Sequence, residues 1–251
     1  MQLAARFATI AEAAGARIMA VYGTAAAEAK ADGSPVTEAD LVAHQAILEG
    51  LARDCAGLPV VSEEDAAHRT PDPAESFILV DPLDGTREFI SRNGEFTVNI
   101  ALVEGGCPVV GVVFAPALGR IWRGAVGVGA QMRASGDAEW QPIGCRHPAA
   151  EGVVAVASRS HRDEATEAFL AAQTVAGLRS VGSSLKFCLV AEGQADVYPR
   201  FGTTMEWDTA AGQAVLEAAG GRVVMPDGAP FRYGKPAWRN GPFIGWGAAP
   251  G

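Results

Sequence analysis

The stretch Phe77-Ile78-Leu79-Val80-Asp81-Pro82-Leu83-Asp84-Gly85-Thr86 constrains this chain more than any other. Four apolar residues run into two carboxylates three positions apart, then a glycine and a hydroxyl. The apolar run is short and ends at Pro82, which predicts a buried strand, with Asp81 at its end held out of the α region by the proline that follows. Pro82 fixes its own φ and Gly85 permits a sharp bend, so Asp84 can swing back toward Asp81 while the Leu83 carbonyl faces the same pocket. Two carboxylates and a carbonyl make a hard-oxygen site of the kind Mg²⁺ prefers. A plainer arrangement competes on equal terms here: most Asp-Gly pairs lie in surface turns where the aspartate hydrogen-bonds its own backbone.

Two better-known loops do not fit. An EF-hand needs an oxygen ligand at the third position, and Leu83 stands there. A haloacid-dehalogenase-type loop resembles Asp-x-Asp-Gly-Thr, but these carboxylates are one residue further apart, which changes the side of the strand end they face.

A chain of 251 residues makes one large domain or two small ones. Its formal charge of -9 argues against a nucleic acid polymer as partner, because that binding needs clustered Lys and Arg. An acidic protein can still bind phosphates when a divalent cation cancels its carboxylates. Cys55, Cys107, Cys145 and Cys188 form no Cys-x-x-Cys pair and suggest small buried residues in a reducing compartment rather than zinc or disulfides. Neither a signal peptide nor a transmembrane run is read, so the cytoplasm is the expected location, with peripheral contact at the inner membrane as a secondary expectation.

Leu3, Phe7, Ile10, Ala14, Ile18 and Val21 predict a helix over residues 2 to 22, stopped by Gly23. Residues 24 to 35 lack apolar periodicity and end in a turn at Asp32-Gly33-Ser34-Pro35. Thr37 to Asp40 approach a capping box before a helix with Leu41, Ile47, Leu48 and Leu51 on one face; Thr37 reads as a cap, and Asp40 can both cap and face a metal cluster. Leu58 to Val61 reads as a strand running into Ser62-Glu63-Glu64-Asp65, where either Glu63 or Glu64 is a candidate ligand if two strand tips converge on one cation. Arg87 to Ile90 reads as a short helix with the Gly85 and Thr86 amides at its start. Residues 96 to 103, 109 to 114 and 120 to 125 predict an antiparallel meander, and the weakly patterned region 127 to 147 ends a first domain over 1–147. Short strands and helices then alternate in a C-terminal α/β domain over 148–251. There Gly182-Ser183-Ser184-Leu185-Lys186 reads as a phosphate cradle or as Ser183 capping a helix, and Asp208 in Trp207-Asp208-Thr209-Ala210-Ala211-Gly212 reads alone as a cap.

Taken together, Glu63-Glu64-Asp65, Asp81-Pro82-Leu83-Asp84-Gly85-Thr86 and Trp207 to Gly212 resemble, in order and spacing, the metal-site motifs of the inositol monophosphatase-like superfamily of lithium-sensitive phosphatases. Residues 81 to 100, with Arg87-Glu88-Phe89-Ile90 and Arg92 to Thr97, are similar to its bacterial CysQ-type 3'(2'),5'-bisphosphate nucleotidases, as are Ser158-Arg159-Ser160-His161 and Gly182 through Arg200. The resemblance implies an α+β fold, a layered αβαβα sandwich with the site between the two halves. It implies two or three Mg²⁺ ions held by Glu63, Asp81, the Leu83 carbonyl, Asp84 and Asp208. By the same resemblance Asp40, Glu63 and Thr86 position the nucleophilic water. Gly85, Thr86, His161, Ser183, Lys186, Arg200 and Asp208 then meet the substrate, a small phosphorylated nucleotide, and a homodimer is compatible with this.

The activity implied is hydrolysis of 3'-phosphoadenosine 5'-phosphate to AMP and phosphate by in-line attack of a metal-activated water, linked to sulfate assimilation. Inositol-1-phosphate hydrolysis is the alternative within the superfamily. An aspartyl-phosphate enzyme would trap phosphate on Asp81, and a silent nucleotide-binding protein would have no need of Thr86 and Asp40 beside the metals.

Overall fold

The computed structural model describes residues 1–24, 27–29, 35–66, 75–134, 139–158 and 163–248. Helix α1 (Gln2–Val21) buries Phe7, Ile10, Ala14 and Ile18 at the spacing that predicts it. Strands β1 (Ala27–Ala29) and β2 (Pro35–Thr37) pair antiparallel where the sequence shows no strand pattern; of the turn expected over 32–35, residues 32–34 lie outside the described residues and Pro35 opens β2. Helix α2 (Glu38–Asp54) packs along α1 and opens with a complete capping box, in which Thr37 Oγ1 accepts from the Ala39 amide at 3.1 Å and Asp40 Oδ2 from the Thr37 amide at 2.7 Å. Its buried stripe is Ala39, Ala43, Ile47 and Leu51. Leu41, expected on that stripe, is 56% exposed, because a residue two positions from Ala39 and Ala43 points away from both.

A seven-stranded sheet follows in chain order: β3 (Val60–Ser62), β4 (Phe77–Asp84), β5 (Thr97–Glu104), β6 (Cys107–Ala115), β7 (Arg120–Ala125), β8 (Gly129–Ala134) and β9 (Gln141–Ile143). Strand β3 runs parallel to β4, and the rest form the expected antiparallel meander. Strand β3 begins at Val60 rather than Leu58. The region read as weakly patterned contains β8, which is half-buried, and β9, which is mostly exposed, neither with an apolar run to betray it.

Strand β4 does not end at Pro82. Its pairing continues to Asp84, with Asp81 opposite Asn99 and Asp84 opposite Thr97. Three steps on β4 therefore match two on β5, which is a bulge of one residue at the proline that has no amide to donate. In a regular strand, side chains three apart face opposite ways. The extra residue returns Asp84 to the face that carries Asp81. Helix α3 (Thr86–Ile90) follows at once, entered through Gly85 at φ +93°, a conformation open to glycine without strain.

The second sheet is built from β10 (Val153–Ser158), β11 (Val175–Val181), β12 (Val197–Arg200), β14 (Arg222–Val224) and β16 (Phe243–Trp246), in the order β11-β10-β12-β16-β14. Between its strands lie α4 (Glu164–Ala171), α5 (Leu185–Ala191) and α6 (Ala210–Ala218); β13 (Thr204–Met205) pairs with β15 (Arg239–Asn240). Helices α1 and α2 cover one face of the first sheet, α5 and α6 lie between the sheets, and α4 covers the far face of the second, which makes the αβαβα sandwich. One buried cluster joins Leu79 and Trp122 of the first sheet through Phe187 and Leu216 of α5 and α6 to Tyr198 and Phe243 of the second. Gly111 permits that contact, since a Cβ there would come within 2.4 Å of the Ala211 carbonyl.

Candidate active site

Where the bulge of β4, the start of α5 and the start of α6 meet, they enclose a cavity of about 300 Å³. Every expected site residue among those described lines it except Asp40, which stands behind Thr86. His161 lies outside the described residues. Of the two acids left open by the sequence, Glu63 lines the cavity and Glu64 does not. The Glu63 amide donates to the Val80 carbonyl at 3.1 Å, so the tips of β3 and β4 reach the cavity together.

Three aspartates divide their oxygens in the same way. Asp81 Oδ1 accepts from the Leu83 amide at 3.0 Å, Asp208 Oδ2 from the Met205 amide at 2.8 Å, and Asp84 Oδ2 from the Ser184 hydroxyl at 2.9 Å. The second oxygen of each has no hydrogen bond among the described residues. Burial pushes the Asp81 carboxyl well up from its usual range, and the charges of Glu63, Asp84, Asp208 and Asp40 push the same way. Asp208 is raised too, by burial first and then by Asp84, although its backbone hydrogen bond opposes this. Such a group of partly satisfied carboxylates lacks positive charge, and hard divalent cations fit both the oxygen donors and the charge. Among the described residues no three acids close a metal cage by themselves. Mg²⁺ does not need one, because it keeps waters and takes substrate oxygens.

Basic side chains line the same cavity. Lys186, only 4% exposed, donates from Nζ to the Ser183 carbonyl at 2.5 Å and the Val181 carbonyl at 3.2 Å. Burial lowers its pKa to about 8, with Asp84 opposing and Arg200 assisting. Arg200, on β12, is 8% exposed and lines the same cavity.

Two of the plain capping readings fail. Ser183 is not the N-cap of α5; it takes a left-handed φ of +45°, its Oγ accepts from the Leu185 amide only at 3.5 Å, and Ser184 is the residue that precedes the helix. Asp208 does not cap α6, which starts two residues later behind Thr209. Ser184 falls inside the stretch read from sequence as a phosphate cradle, while Asn99 and Thr97 are given no role there; all three are buried beside Asp84. One signal for the last two was present: Thr97 and Asn99 are polar, two apart, in an otherwise apolar strand. His44, one turn after Asp40 on α2, was passed over as well; its Nδ1 lies 2.8 Å from Ser62 Oγ, just before Glu63.

A family model described as the inositol monophosphatase family matches residues 2–242. The chain belongs to that family. It is similar to a Salmonella typhimurium protein named 3'(2'),5'-bisphosphate nucleotidase CysQ, 48% identical over 226 residues that cover 85% of this chain and 87% of that protein. The Escherichia coli protein of the same name is 46% identical over 89% of this chain and 91% of its own length. Among solved structures, CysQ from Bacteroides thetaiotaomicron, described as a bacterial member of the inositol monophosphatase family, superposes with a TM-score of 0.83 at 39% identity, covering 99% of this chain and 98% of that one. An inositol monophosphatase from Anabaena shares the fold at a TM-score of 0.76 and 27% identity, over 98% of this chain and 90% of that one. Enzymes of the family are metal-dependent phosphatases, generally using Mg²⁺. Among the described residues of this member no helix is long and apolar enough to cross a membrane.

Proposed function

We propose that this chain is a Mg²⁺-dependent 3'(2'),5'-bisphosphate nucleotidase that hydrolyses 3'-phosphoadenosine 5'-phosphate to AMP and phosphate in the cytoplasm, in the service of sulfate assimilation. The observation that supports it most is that one cavity is lined both by the acids Glu63, Asp81, Asp84 and Asp208 and by the buried cations Lys186 and Arg200. A substrate with two phosphates uses both sets of groups, one phosphate being cleaved against the acids and the other held by the cations. A monophosphorylated inositol leaves the buried Lys186 without its anion.

Glu63, Asp81, Asp84, Asp208 and the Leu83 carbonyl would hold two or three Mg²⁺ ions. Bound there, Mg²⁺ supplies Lewis-acid stabilisation of the phosphoryl oxygens and of the leaving oxygen. The protein contributes positioning. Thr86 Oγ1 lies 3.4 Å from Asp40 Oδ1, while Asp40 Oδ2 is committed to Thr37. Asp40 therefore orients the Thr86 hydroxyl, which together with Glu63 holds the attacking water, and Gly85 and Thr86 line the side where the cleaved phosphoryl sits. Ser183 and Lys186 at the start of α5, with Arg200, hold the phosphate that stays, and His161 is assigned to the nucleoside. Direct attack by water needs no covalent phosphate on Asp81.

Phosphate release with Mg²⁺ from 3'-phosphoadenosine 5'-phosphate, inositol 1-phosphate and fructose 1,6-bisphosphate tests this. The bisphosphorylated nucleotide is expected to be turned over best. Faster turnover of inositol 1-phosphate moves the chain to the inositol phosphatase branch, and nucleotide binding without Mg²⁺-dependent turnover marks a silent binding protein.

A further inference from the structure

Ser184 sits where three elements from both halves of the chain touch. Its Oγ is 2.9 Å from Asp84 Oδ2 on β4, 2.7 Å from the Asp208 carbonyl before α6, and 2.9 Å from Asn99 Nδ2 on β5. The residue is 1% exposed, so water does not replace any of these partners. The proton bookkeeping is determinate. Asn99 Nδ2 is a donor and gives to the serine oxygen, while the single hydroxyl proton is shared between a carboxylate and a carbonyl. Nor can the Asn99 amide be turned over, since that would place its oxygen 3.4 Å from Asp84 Oδ2, where its nitrogen now stands. The amide oxygen of Asn99 is buried with no partner among the described residues, a cost accepted so that its donors face Ser184 and Asp84.

We infer that Ser184 is the positioning residue that locks Asp84 and Asp208 together, so that the acids from the two halves of the chain present their second oxygens to shared cations at a fixed separation. Asp84 belongs to the first sheet and Asp208 precedes a helix of the second half; no hydrogen bond between their own side chains joins them among the described residues. Asn99 holds the lock closed from below. The left-handed turn at Ser183 aims Ser184 inward at the acids, and this accounts for a strained φ at a residue other than glycine. The inference rests on the proposed use of these acids as metal ligands and adds a residue that touches neither metal nor substrate.

The test is binding of Mn²⁺, a spectroscopic stand-in for Mg²⁺, to the full chain without substrate, read by electron paramagnetic resonance for the wild type, Ser184→Ala and Ser184→Cys. Alanine removes the hydroxyl, and cysteine keeps the bulk with a poor hydrogen-bonding group. Both variants are expected to melt near the wild-type temperature in chelator and to bind Mn²⁺ roughly tenfold more weakly. Ser184→Ala is expected to add no further loss in an Asp84→Asn background, which a merely structural role would not give. Unchanged Mn²⁺ affinity in either folded variant, or failure of both to fold, overturns the inference. A wild type that binds no Mn²⁺ overturns the phosphatase reading itself, a result distinct from either.

Discussion

The hydroxyl of Thr86 faces Asp40 Oδ1 at 3.4 Å, although 46 residues separate them, while the other Asp40 oxygen caps its own helix through the amide and hydroxyl of Thr37 at 2.7 Å each. One carboxylate thus ties the rigid start of α2 to the loop that faces the substrate. The geometry of Thr86 is inherited from a helix cap, and the cap is as strong as the helix packed behind it.

Asp40→Asn should therefore split into two effects. Turnover with saturating Mg²⁺ is expected to fall about 10²-fold with little change in KM, because water is held less well while substrate binding is untouched. Thermal unfolding should report a loss of about 1 kcal/mol from the weakened cap. An unchanged kcat beside a lowered melting temperature would leave Asp40 as a cap alone.

Asp81→Asn is expected to abolish activity yet stabilise the metal-free protein. The raised Asp81 pKa means that the folded state binds its proton more tightly than the unfolded chain, whose value is near 3.8. Stability from this group is therefore fully present below pH 3.8 and is lost as the pH rises through the folded value. In chelator, the advantage of the variant over wild type should accordingly grow from acid toward neutral pH. Adding Mg²⁺ should raise the wild-type melting temperature by mass action and move the variant much less, as scanning calorimetry can check.

Lys186 carries the opposite sign. Its folded pKa of about 8 lies below the ordinary 10.5, so the unfolded chain holds the proton more tightly, and stability rises with pH between those values. Lys186→Met should gain stability relative to wild type at pH 7, with the gain shrinking as the pH rises from about 8 toward 10.5. The same variant should raise KM for the bisphosphorylated nucleotide at least tenfold, with kcat less affected. Denaturant melts across that range, paired with kinetics on the same preparations, check both halves.

Glu192 supplies the contrast, a stabilising residue away from the chemistry. Its side chain, 5% exposed, accepts from Arg120 Nη2 at 2.7 and 2.9 Å and also meets Trp122 Nε1, joining the end of α5 to β7. Arg120 is 30% exposed, so breaking the pair with Glu192→Ala should cost about 2 to 3 kcal/mol in urea unfolding, between the values for exposed and for fully buried pairs. At a temperature where the variant is folded, kcat/KM should stay within about twofold of wild type.

The elements that position the acids were legible because each carries a local signal: the apolar run before Asp81, the helical spacing before Gly23, the hydroxyl and carboxylate around Thr37. Asp208 and Ser183 were the ambiguous ones, since an aspartate or serine before a helix serves as a cap far more often than as anything else. Their neighbours decided the matter. Met205 donates to Asp208 from behind, and the turn at Ser183 moves the helix start one residue on. Strands β8 and β9 escaped notice because neither alternates buried and exposed residues: β8 is half-buried along nearly all its length and β9 is mostly exposed.

By itself the sequence determined which groups are present and what each segment prefers locally: hard oxygens grouped in three short motifs, a strand before the first aspartate pair, a proline and a glycine where the backbone must turn. Only the tertiary structure decided which way those groups face. Whether Asp81 and Asp84 share a face depends on a one-residue bulge set by pairing with β5, and Asp208 meets Asp84 through the Ser184 hydroxyl, which reaches the Asp208 carbonyl and the Asp84 carboxylate from the start of α5. Strand register and helix packing are balances over many distant contacts, so no local window of residues contains them.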